Sequence, residues 1–301
     1  MYDIIIIGGG PAGLTAALYA CRANKSVLVI EKGSFGGQIT YSPRVENIPG
    51  FLDVTGNEFA EKLVEQVLSQ NAEVECAQAL KIVDNGEFKT VVTDSGEFTS
   101  KSVIIATGAK HRLLGLDREE DFIGEGISFC AVCDGAFYEN KTVAVIGGGN
   151  SALQEAILLS ELAKKVYIIQ NLDFFTGEEK LVNQLKSKDN VEIILGAVVE
   201  SISGNTDFEG ITIKNVSDEK TTDLILDGMF VAIGLVPQNE EFLDLIKLDD
   251  RGYVVSGEEC KTSSEGIFVA GDCRTKNIRQ VTTAVSDGAI AALAACEYID
   301  K

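Results

Sequence analysis

Basic residues are scarce in this chain of 301 residues: 26 lysines and arginines stand against 46 aspartates and glutamates, a formal net charge of −20. Such an excess of negative charge repels polyanions, so neither nucleic acid nor an anionic membrane surface is an expected partner. Long apolar runs are also missing. The N-terminal run Ile4 to Ile7 is far shorter than the roughly 20 residues of a membrane-spanning helix. No basic segment precedes that run, so no signal peptide is expected.

Histidine and closely spaced cysteines are rare as well. The chain has one histidine, His111, and seven cysteines, of which only Cys130 and Cys133 are close in sequence. Zinc bound at this Cys-x-x-Cys would need two further ligands from a chain with no second cysteine pair, so no metal site is expected. An odd number of cysteines without framework spacing favours a reducing cytoplasm. The pair itself can be half of a zinc site, a redox dithiol or a chance spacing.

The N-terminal segment has the pattern of a dinucleotide-binding βαβ unit. Gly8, Gly10 and Gly13 have the spacing G-x-G-x-x-G. They lie between a strand (3–8) and a helix (12–23), and a second strand (27–30) ends on Glu31. The glycines allow a tight turn close to phosphate, the helix N-terminus attracts the pyrophosphate, and the carboxylate suits ribose hydroxyls. A tight turn without a ligand is the alternative interpretation.

The same pattern occurs a second time. Gly147 lies 139 residues after Gly8, and Ala152 lies the same distance after Gly13. A strand (142–147), a helix (151–163) and a strand (166–169) surround this second turn. A duplication of this length indicates two dinucleotide-type domains, since solenoid repeats are only about 20 to 50 residues long. The expected fold class is α/β.

Further strands are predicted from alternating apolar segments, at 88–93, 103–106, 191–195, 211–214, 229–233 and 267–270. The Ala-rich periodic segment 282–298 predicts a C-terminal helix.

Seven motifs, in their order along the chain, resemble those of the low-molecular-weight thioredoxin reductases. They are Gly8-Gly9-Gly10-Pro11-Ala12-Gly13, Gly36-Gly37-Gln38, Glu46-Asn47-Ile48-Pro49-Gly50, Ala106-Thr107-Gly108, Cys130-Ala131-Val132-Cys133-Asp134-Gly135, Gly271-Asp272 and Arg279-Gln280-Val281. The resemblance implies two Rossmann-like domains of the three-layer ββα type, the second inserted into the first. It places a discontinuous FAD domain at 1–112 and 243–301 and the inserted NAD(P)H-type domain, with the cysteine pair, at 113–242. It also implies a homodimer.

The resemblance also assigns the FAD contacts. Glu31 holds the adenosine ribose, Asp272 binds the ribityl chain, and Gln38 and Asn47 line the flavin. The remaining FAD contacts that it implies come from the motif residues Gly8, Gly10, Pro11, Ala12, Gly13, Gly37, Ala106, Thr107, Gly108, Gly271, Arg279, Gln280 and Val281. Asn47 has an alternative interpretation as a turn residue before Pro49, and Asp272 as a cap.

For the redox centre, the resemblance makes Cys133 the sulfur that faces the flavin and Asp134 the proton donor and acceptor of the dithiol. A carboxylate beside thiols would otherwise raise their pKa, so its benefit lies in proton transfer. A capping or turn role before Gly135 is the alternative. The expected substrate is the disulfide of a thioredoxin, reached by thiolate exchange. The resemblance implies domain rotation between flavin and partner contact, with hinges expected at 113–115 and 237–241.

The expected nicotinamide contacts are missing. The position of the second domain that corresponds to Glu31 is Gln170, which removes the carboxylate expected for NADH. For NADPH the family has His-Arg-Arg and a further Arg where this chain has Gln170, Asn171, Leu172 and Thr176. Charge-assisted hydrogen bonds contribute roughly 1.5 to 3 kcal/mol each, so their loss weakens NADPH binding by orders of magnitude. The resemblance then narrows to the ferredoxin-dependent flavin thioredoxin reductases, with ferredoxin as the electron donor.

Alternatives to this interpretation stay open. They are an NAD(P)H-dependent thioredoxin reductase with unusual contacts, a flavin:NADP oxidoreductase of the same fold, and a non-catalytic flavoprotein redox sensor. An acidic ferredoxin would need a local basic patch on this acidic chain. The candidate landing residues are Lys110, Arg112, Arg274, Lys276 and Arg279, which can equally be ordinary solvated charges.

Overall fold

The computed structural model describes residues 1–42 and 44–301. In chain order the helices and strands are β1 (Tyr2–Ile7), α1 (Pro11–Arg22), β2 (Val27–Glu31), α2 (Gly56–Leu68), β3 (Glu73–Cys76), β4 (Ala79–Asp84), β5 (Lys89–Thr93), β6 (Glu97–Ile105), β7 (Ala109–His111), β8 (Ile127–Ser128), α3 (Ala131–Asp134), β9 (Thr142–Ile146), α4 (Asn150–Ser160), β10 (Lys165–Gln170), α5 (Glu179–Lys186), β11 (Val191–Leu195), β12 (Ala197–Ser203), β13 (Gly210–Asn215), β14 (Thr221–Ile225), β15 (Gly228–Val231), β16 (Leu235–Pro237), β17 (Ile267–Val269) and α6 (Val281–Ile299). Short 3₁₀ helices cover Gly37–Tyr41, Glu120–Phe122, Gly135–Tyr138, Glu240–Phe242 and Gly271–Cys273.

The chain forms two units. The first comprises Met1–Ser42, Ile48–Lys110 and Val236–Lys301, and the second comprises 44–47 and His111–Leu235. The second boundary therefore lies seven residues before the predicted 242/243. Asn239 explains the difference, because its side chain donates to the carbonyl oxygens of Gly252 (2.9 Å) and Cys273 (2.8 Å) and thereby belongs to the first unit. β7 and β16, in which the chain crosses between the units, pair as a two-stranded sheet.

The first unit is built on one sheet with the strand order β3-β2-β1-β6-β5-β4, and β17 pairs with β6. β3, β2, β1, β6 and β17 are parallel, whereas β4, β5 and β6 form an antiparallel meander. Ile4 and Ile6 face a core that includes α1 and α6, while Ile5 and Ile7 face a second core on the opposite side. Alternate side chains of a strand point to opposite faces, so this apolar run serves both cores.

The second unit has three layers. Its five-stranded sheet, β11-β10-β9-β15-β8, is parallel, and β12, β13 and β14 form a separate antiparallel sheet. One core joins the parallel sheet to α4 through Val145 and Leu153, and the other joins it to the antiparallel sheet through Ile146 and Ile213. The α/β class with two Rossmann-like sheets is confirmed.

The strands and helices expected from the two glycine patterns are confirmed to within a few residues. Across residues 1–42 and 44–301, every helix is too short or too polar to cross a bilayer. In the same stretch, His, Cys, Asp and Glu side chains are nowhere grouped in threes that would suit a metal ion.

Candidate active site

Four neighbouring parallel strands of the first unit end at the predicted cofactor residues. Gly8 follows β1, Glu31 ends β2, Ala106 follows β6 and Gly271 comes two residues after β17. The carboxyl ends of parallel strands meet at one edge of a sheet, and ligands bind there in open α/β folds. The fold therefore brings these distant positions together.

The glycine turn at this edge is tight. A Cβ on Gly13 would lie 1.9 Å from the carbonyl oxygen of Gly8, and a Cβ on Gly8, whose φ is +112°, would lie 2.3 Å from that of Ala106. Larger residues are excluded at both positions. Gly10 precedes α1 with its Cβ side open, because its nearest neighbours are 3.9 Å away or more, and Pro11 occupies the first helical turn. The N-terminus of α1 is thus accessible to a phosphate.

Glu31 is held against this turn. Its Oε2 accepts the Gly9 N–H at 2.7 Å, and its Oε1 accepts the Gly33 N–H at 2.8 Å. The next segment is tied to the same turn, since the Gly36 N–H donates to the Gly9 carbonyl at 2.8 Å. Gly37 and Gln38 begin the 3₁₀ helix that follows. A carboxylate fixed beside a phosphate-sized turn suits the ribose of a dinucleotide.

Asp272 is an acid of the first unit with one carboxyl oxygen that is unpaired within the described part of the chain. Among the described residues, its Oδ1 is buried and has no hydrogen-bond partner. Burial raises the pKa of Asp272, against the opposing charges of Lys276 and Arg279. An orphaned buried oxygen at the ligand-binding edge of the sheet marks the place of an absent polar partner. The hydroxyls of a ribityl chain fit this requirement, so the residues present are compatible with FAD.

The remaining predicted contacts lie in both units. Gln280 is the N-cap of α6 and forms a reciprocal capping box with Thr283, and Arg279 lies over the Tyr253 ring, 4.2 Å from its centroid. Thr107 Oγ1 donates to Asn239 Oδ1 at 2.9 Å. Asn47 is exposed and belongs to the segment 44–47, which clusters with the second unit.

Two of the candidate landing residues are not at the surface. The side chains of Arg274 and Lys276 are only 11% and 8% exposed, and both bind Asp287, at 2.8 and 2.9 Å. Burial of Asp287 opposes its ionisation, but these two cations outweigh that effect and hold its pKa below the usual range. The expectation that Arg274 and Lys276 form a docking patch is therefore wrong. Lys110 and Arg112 are exposed.

The cysteine pair lies at the start of a short helix in the second unit. A disulfide joins Cys130 and Cys133, with 5.3 Å between their Cα atoms. Cys130 is the N-cap of α3, and its Sγ accepts the Cys133 N–H at 3.2 Å. Val132, between the cysteines, is 65% exposed. The helical turn brings the two sulfurs within bonding distance, and the residue between them is exposed.

Asp134 is a half-buried acid that directly follows Cys133 in the sequence. Its Oδ2 accepts a hydrogen bond from Ser128 Oγ at 2.5 Å, while its Oδ1 is buried with no partner among the described residues. Burial raises the pKa of Asp134, although the Ser128 bond opposes the shift. Its side chain caps neither α3 nor the following 3₁₀ helix. An acid with a raised pKa next to a redox disulfide is suited to exchange protons with the thiols that form on reduction.

The sequence prediction missed Glu155, a second acid near this centre. It lies on α4 in the stripe formed by Ala152, Ala156 and Leu159, which are all buried. Burial raises the pKa of Glu155 to about 7, with a further contribution from the charge of Asp134 and an opposing one from the Ala131 N–H. An acid in the middle of an apolar helical stripe was the available signal.

The second glycine turn is built like the first but is lined differently. Gln170 is 6% exposed, and a Cβ on Gly148 would lie 2.4 Å from its Cδ. The N–H groups of Thr176 and Gly177 both donate to the Gly148 carbonyl, at 2.9 and 3.0 Å. The side chain at the end of β10 is thus a neutral amide where the first unit has Glu31. The loop positions Asn171, Leu172 and Thr176 are exposed and uncharged.

Comparison with known proteins identifies the class. The family model described as pyridine nucleotide-disulphide oxidoreductase matches residues 2–288, and the chain belongs to this family. It is 41% identical to a thioredoxin reductase of Listeria monocytogenes, over 100% of this chain and 95% of that protein. A thioredoxin reductase of Treponema pallidum is also 41% identical, with 99% and 97% covered.

Solved structures agree with this assignment. A thioredoxin reductase from Streptococcus pyogenes superposes with a TM-score of 0.95 at 42% identity and covers 100% of this chain and 98% of its own. One from Giardia duodenalis gives 0.92 at 32% identity, with 100% and 99% covered. The protein is a thioredoxin reductase-like disulfide oxidoreductase, and thioredoxin reductases of this family are FAD-dependent.

Proposed function

We propose that this protein is an FAD-dependent thioredoxin reductase that reduces the disulfide of a thioredoxin through Cys130 and Cys133, with reduced ferredoxin as its electron donor. The observation that carries the proposal is the closed Cys130–Cys133 disulfide with the buried, half-satisfied carboxyl of Asp134 beside it. Among the residues that the structure describes, the second oxygen of this acid has no hydrogen-bond partner. It is suited to exchange protons with the thiols that form when the disulfide opens.

The cofactor residues would act at the carboxyl edge of the first sheet. The glycine turn and the N-terminus of α1 would hold the pyrophosphate, Glu31 the adenosine ribose and Asp272 the ribityl chain. Gln38, Asn47 and the turns at 106–108 and 279–281 would complete the flavin site. Bound FAD supplies the ability to accept electrons singly and to deliver them in pairs.

The substrate would be reached through the exposed side of the motif. Once reduced, one cysteine attacks the partner's disulfide as a thiolate, and the second cysteine then resolves the mixed disulfide. Val132, which is 65% exposed between the two sulfurs, offers an apolar contact to the partner. The residues to which we assign the chemistry are Cys130, Cys133 and Asp134.

The donor is proposed from the second glycine turn. A 2′-phosphate at the end of β10 would meet a buried amide, Gln170, and an exposed loop without an arginine or a histidine at 170–172 or at Thr176. Without charge-assisted hydrogen bonds of roughly 1.5–3 kcal/mol each, discrimination in favour of NADPH is lost. A one-electron protein donor does not need this turn. Exposed Lys110 and Arg112 are the cations that we retain as candidate contacts for an acidic ferredoxin.

NAD(P)H is the second candidate donor. The turn at Gly147 keeps its left-handed backbone, with φ +133°, and the parallel sheet beneath it is complete. The description of the matching family names pyridine nucleotides, so membership of this family favours a nicotinamide donor.

The decisive experiment compares donors under anaerobic conditions. Purified FAD-loaded protein is mixed with oxidised thioredoxin and with reduced ferredoxin, NADPH or NADH, and thioredoxin thiols are counted over time. Our proposal expects turnover with ferredoxin and at least 100-fold slower turnover with either nucleotide. Fast turnover with NADPH would replace ferredoxin by the second candidate, and no turnover with any donor would remove the reductase function.

Two further features are part of the proposal. We expect a homodimer, which sedimentation of the purified protein measures directly. We also expect a reducing, cytoplasmic environment, since Cys21, Cys76, Cys260, Cys273 and Cys296 are free thiols.

A further inference from the structure

Asp287 of α6 is a buried acid of the first unit that binds the loop on which Asp272 lies. Its side chain is 6% exposed, and its two oxygens accept four hydrogen bonds. Oδ1 accepts the Arg274 Nη2–H at 2.8 Å. Oδ2 accepts the Arg274 Nε–H at 2.8 Å, the Lys276 ammonium at 2.9 Å and the Gly271 N–H at 3.1 Å. A carboxylate has about four lone-pair sites, so all the acceptor positions of this one are occupied.

The bond to Gly271 supports the chain just beyond the end of the sheet. The ladder between β6 and β17 ends at Ile105 and Val269. Gly271, two residues later, has φ +82°, and a Cβ on it would lie 2.8 Å from that of Ala12 at the N-terminus of α1. Its N–H donates to Asp287 instead of to a neighbouring strand. A side chain of α6 thus takes over the support that the sheet gives up to this point.

Two further side chains bind the backbone of the same loop. The Arg279 guanidinium donates to the carbonyl oxygens of Asp272 at 3.2 Å and of Arg274 at 3.3 Å. The Asn239 amide donates to the Cys273 carbonyl at 2.8 Å. The main chain on either side of Asp272 is therefore fixed by groups from other parts of the fold. Its own Oδ1, in contrast, is buried and has no partner within residues 1–42 and 44–301.

We propose that Asp287 is a positioning residue of the cofactor site, which holds the loop 271–276 in the conformation in which Asp272 binds the ribityl chain of FAD. This inference rests on the proposed function, because it uses the assignment of Asp272 to the ribityl chain. Asp287 has no acceptor position left for a ligand. It therefore acts through the loop and not by binding FAD itself.

Stability alone does not explain a buried cluster of this kind. Apolar side chains of similar volume can often replace a buried ion pair with no loss of stability. The Asp287 carboxylate also accepts the Gly271 N–H, however, and an apolar side chain cannot do this. Variants that remove the acid and its two cations together can therefore separate support of the loop from stability of the fold.

The test measures the FAD dissociation constant and the stability of the same full-length proteins. FAD is removed from the purified protein, its rebinding is followed by quenching of flavin fluorescence, and stability is taken from urea unfolding. Asp287→Asn keeps the shape of the side chain, but its single carbonyl oxygen can accept only some of the four hydrogen bonds. We expect the FAD dissociation constant to rise by at least about tenfold, the equivalent of one charge-assisted hydrogen bond lost at Asp272.

The matched control is Asp84→Asn in the antiparallel meander. Asp84 Oδ1 pairs with buried Lys89 at 2.8 Å and accepts the Gly86 N–H at 2.9 Å. Like Asp287, it combines an ion pair to a buried cation with a hydrogen bond to the main chain. Its replacement should leave the FAD dissociation constant unchanged, because it lies outside the cofactor loops.

The charge-free variant is Arg274→Met/Lys276→Leu/Asp287→Leu. It should be more stable than Asp287→Asn, because no buried cation is left unpaired. Its affinity for FAD should stay low, since the Gly271 N–H still lacks its acceptor. In an Asp272→Ala background, Asp287→Asn should change the FAD dissociation constant no further, because Asp287 acts through Asp272.

An unchanged FAD dissociation constant in Asp287→Asn would overturn the inference, as would an equal rise in Asp84→Asn. Parent-like FAD affinity in the charge-free variant would also overturn it, and so would an undiminished effect of Asp287→Asn in the Asp272→Ala background. Should Asp287→Asn not fold, the charge-free variant decides. These titrations contain neither thioredoxin nor an electron donor. A parent protein that binds FAD but reduces no thioredoxin would therefore refute the proposed function and leave the inference standing.

Discussion

The donor can be tested by restoring positive charge at the second glycine turn. Leu172 and Thr176 are exposed, so arginine side chains at these positions would stay in solvent and would change the stability of the protein little. Thr176 is fixed by its backbone N–H, which donates to the Gly148 carbonyl at 2.9 Å, and an arginine keeps this bond. We therefore expect the double variant Leu172→Arg/Thr176→Arg to fold and to present two guanidinium groups beside the turn.

The expected gain follows from the contacts that become available. Each guanidinium–phosphate hydrogen bond contributes roughly 1.5–3 kcal/mol. Because both side chains are solvated, we take the lower value for each, which gives about 3 kcal/mol, or about 100-fold in the ratio of the NADP⁺ and NAD⁺ dissociation constants. The assay is an anaerobic equilibrium titration of both nucleotides at fixed ionic strength. Added salt should reduce the gain by screening.

The matched control is Leu172→Gln/Thr176→Gln, which has polar side chains without the charge. It should leave the ratio unchanged. A parent protein that already prefers NADP⁺ by 100-fold, or an equal gain in the glutamine control, would contradict this prediction. Either result would mean that contacts other than this loop recognise the phosphate.

Three further predictions concern the dithiol and the buried charges. Serine at both Cys130 and Cys133 should reduce thioredoxin turnover to the uncatalysed rate in a thiol-release assay, and retained turnover would contradict the assigned chemistry. Glu155→Gln should stabilise the protein in urea unfolding by up to about 3 kcal/mol above pH 7 and not at all below pH 4.5. The sign follows because the pKa of Glu155 rises from 4.5 to about 7 on folding, so the parent loses stability across this window; a pH-independent gain would refute it. Asp287→Asn should cost about 3–5 kcal/mol because it leaves two buried cations unpaired, whereas Glu259→Gln, at an exposed pair with Lys261, should cost about 1 kcal/mol or less; equal losses would refute this.

Much of the local structure was predictable because short-range spacing determines it. The two G-x-G turns specify backbone geometry within a few residues, and alternating apolar residues identify strands such as Val191–Leu195 at their observed bounds. α2 was not predicted, although Thr55 and Glu58 have the spacing of a capping box and form one. α5 and the edge strands β3, β12 and β14 were missed as well, because their exposed residues weaken the apolar pattern.

The residues that changed role did so through partners far along the chain. Arg274 and Lys276 looked like surface cations, and only the fold brings them to Asp287, more than ten residues away. The side chain of Asn239 donates hydrogen bonds to the carbonyl oxygens of Gly252 and Cys273. These bonds place Asn239 in the first unit, whereas the sequence prediction placed it in the inserted domain. The sequence gives the charge of a side chain, but only the folded structure shows whether that side chain is solvated or paired.

The amino-acid order alone therefore determined the two dinucleotide-type folds, the cofactor turn and the cysteine pair, since each depends on neighbours within a few residues. The tertiary structure decided which acids have raised pKa values and which cations are buried. Proton affinity depends on the water and charge surrounding a group, and for Glu155 the main cause of the raised pKa is burial, which only the packing of the folded chain produces.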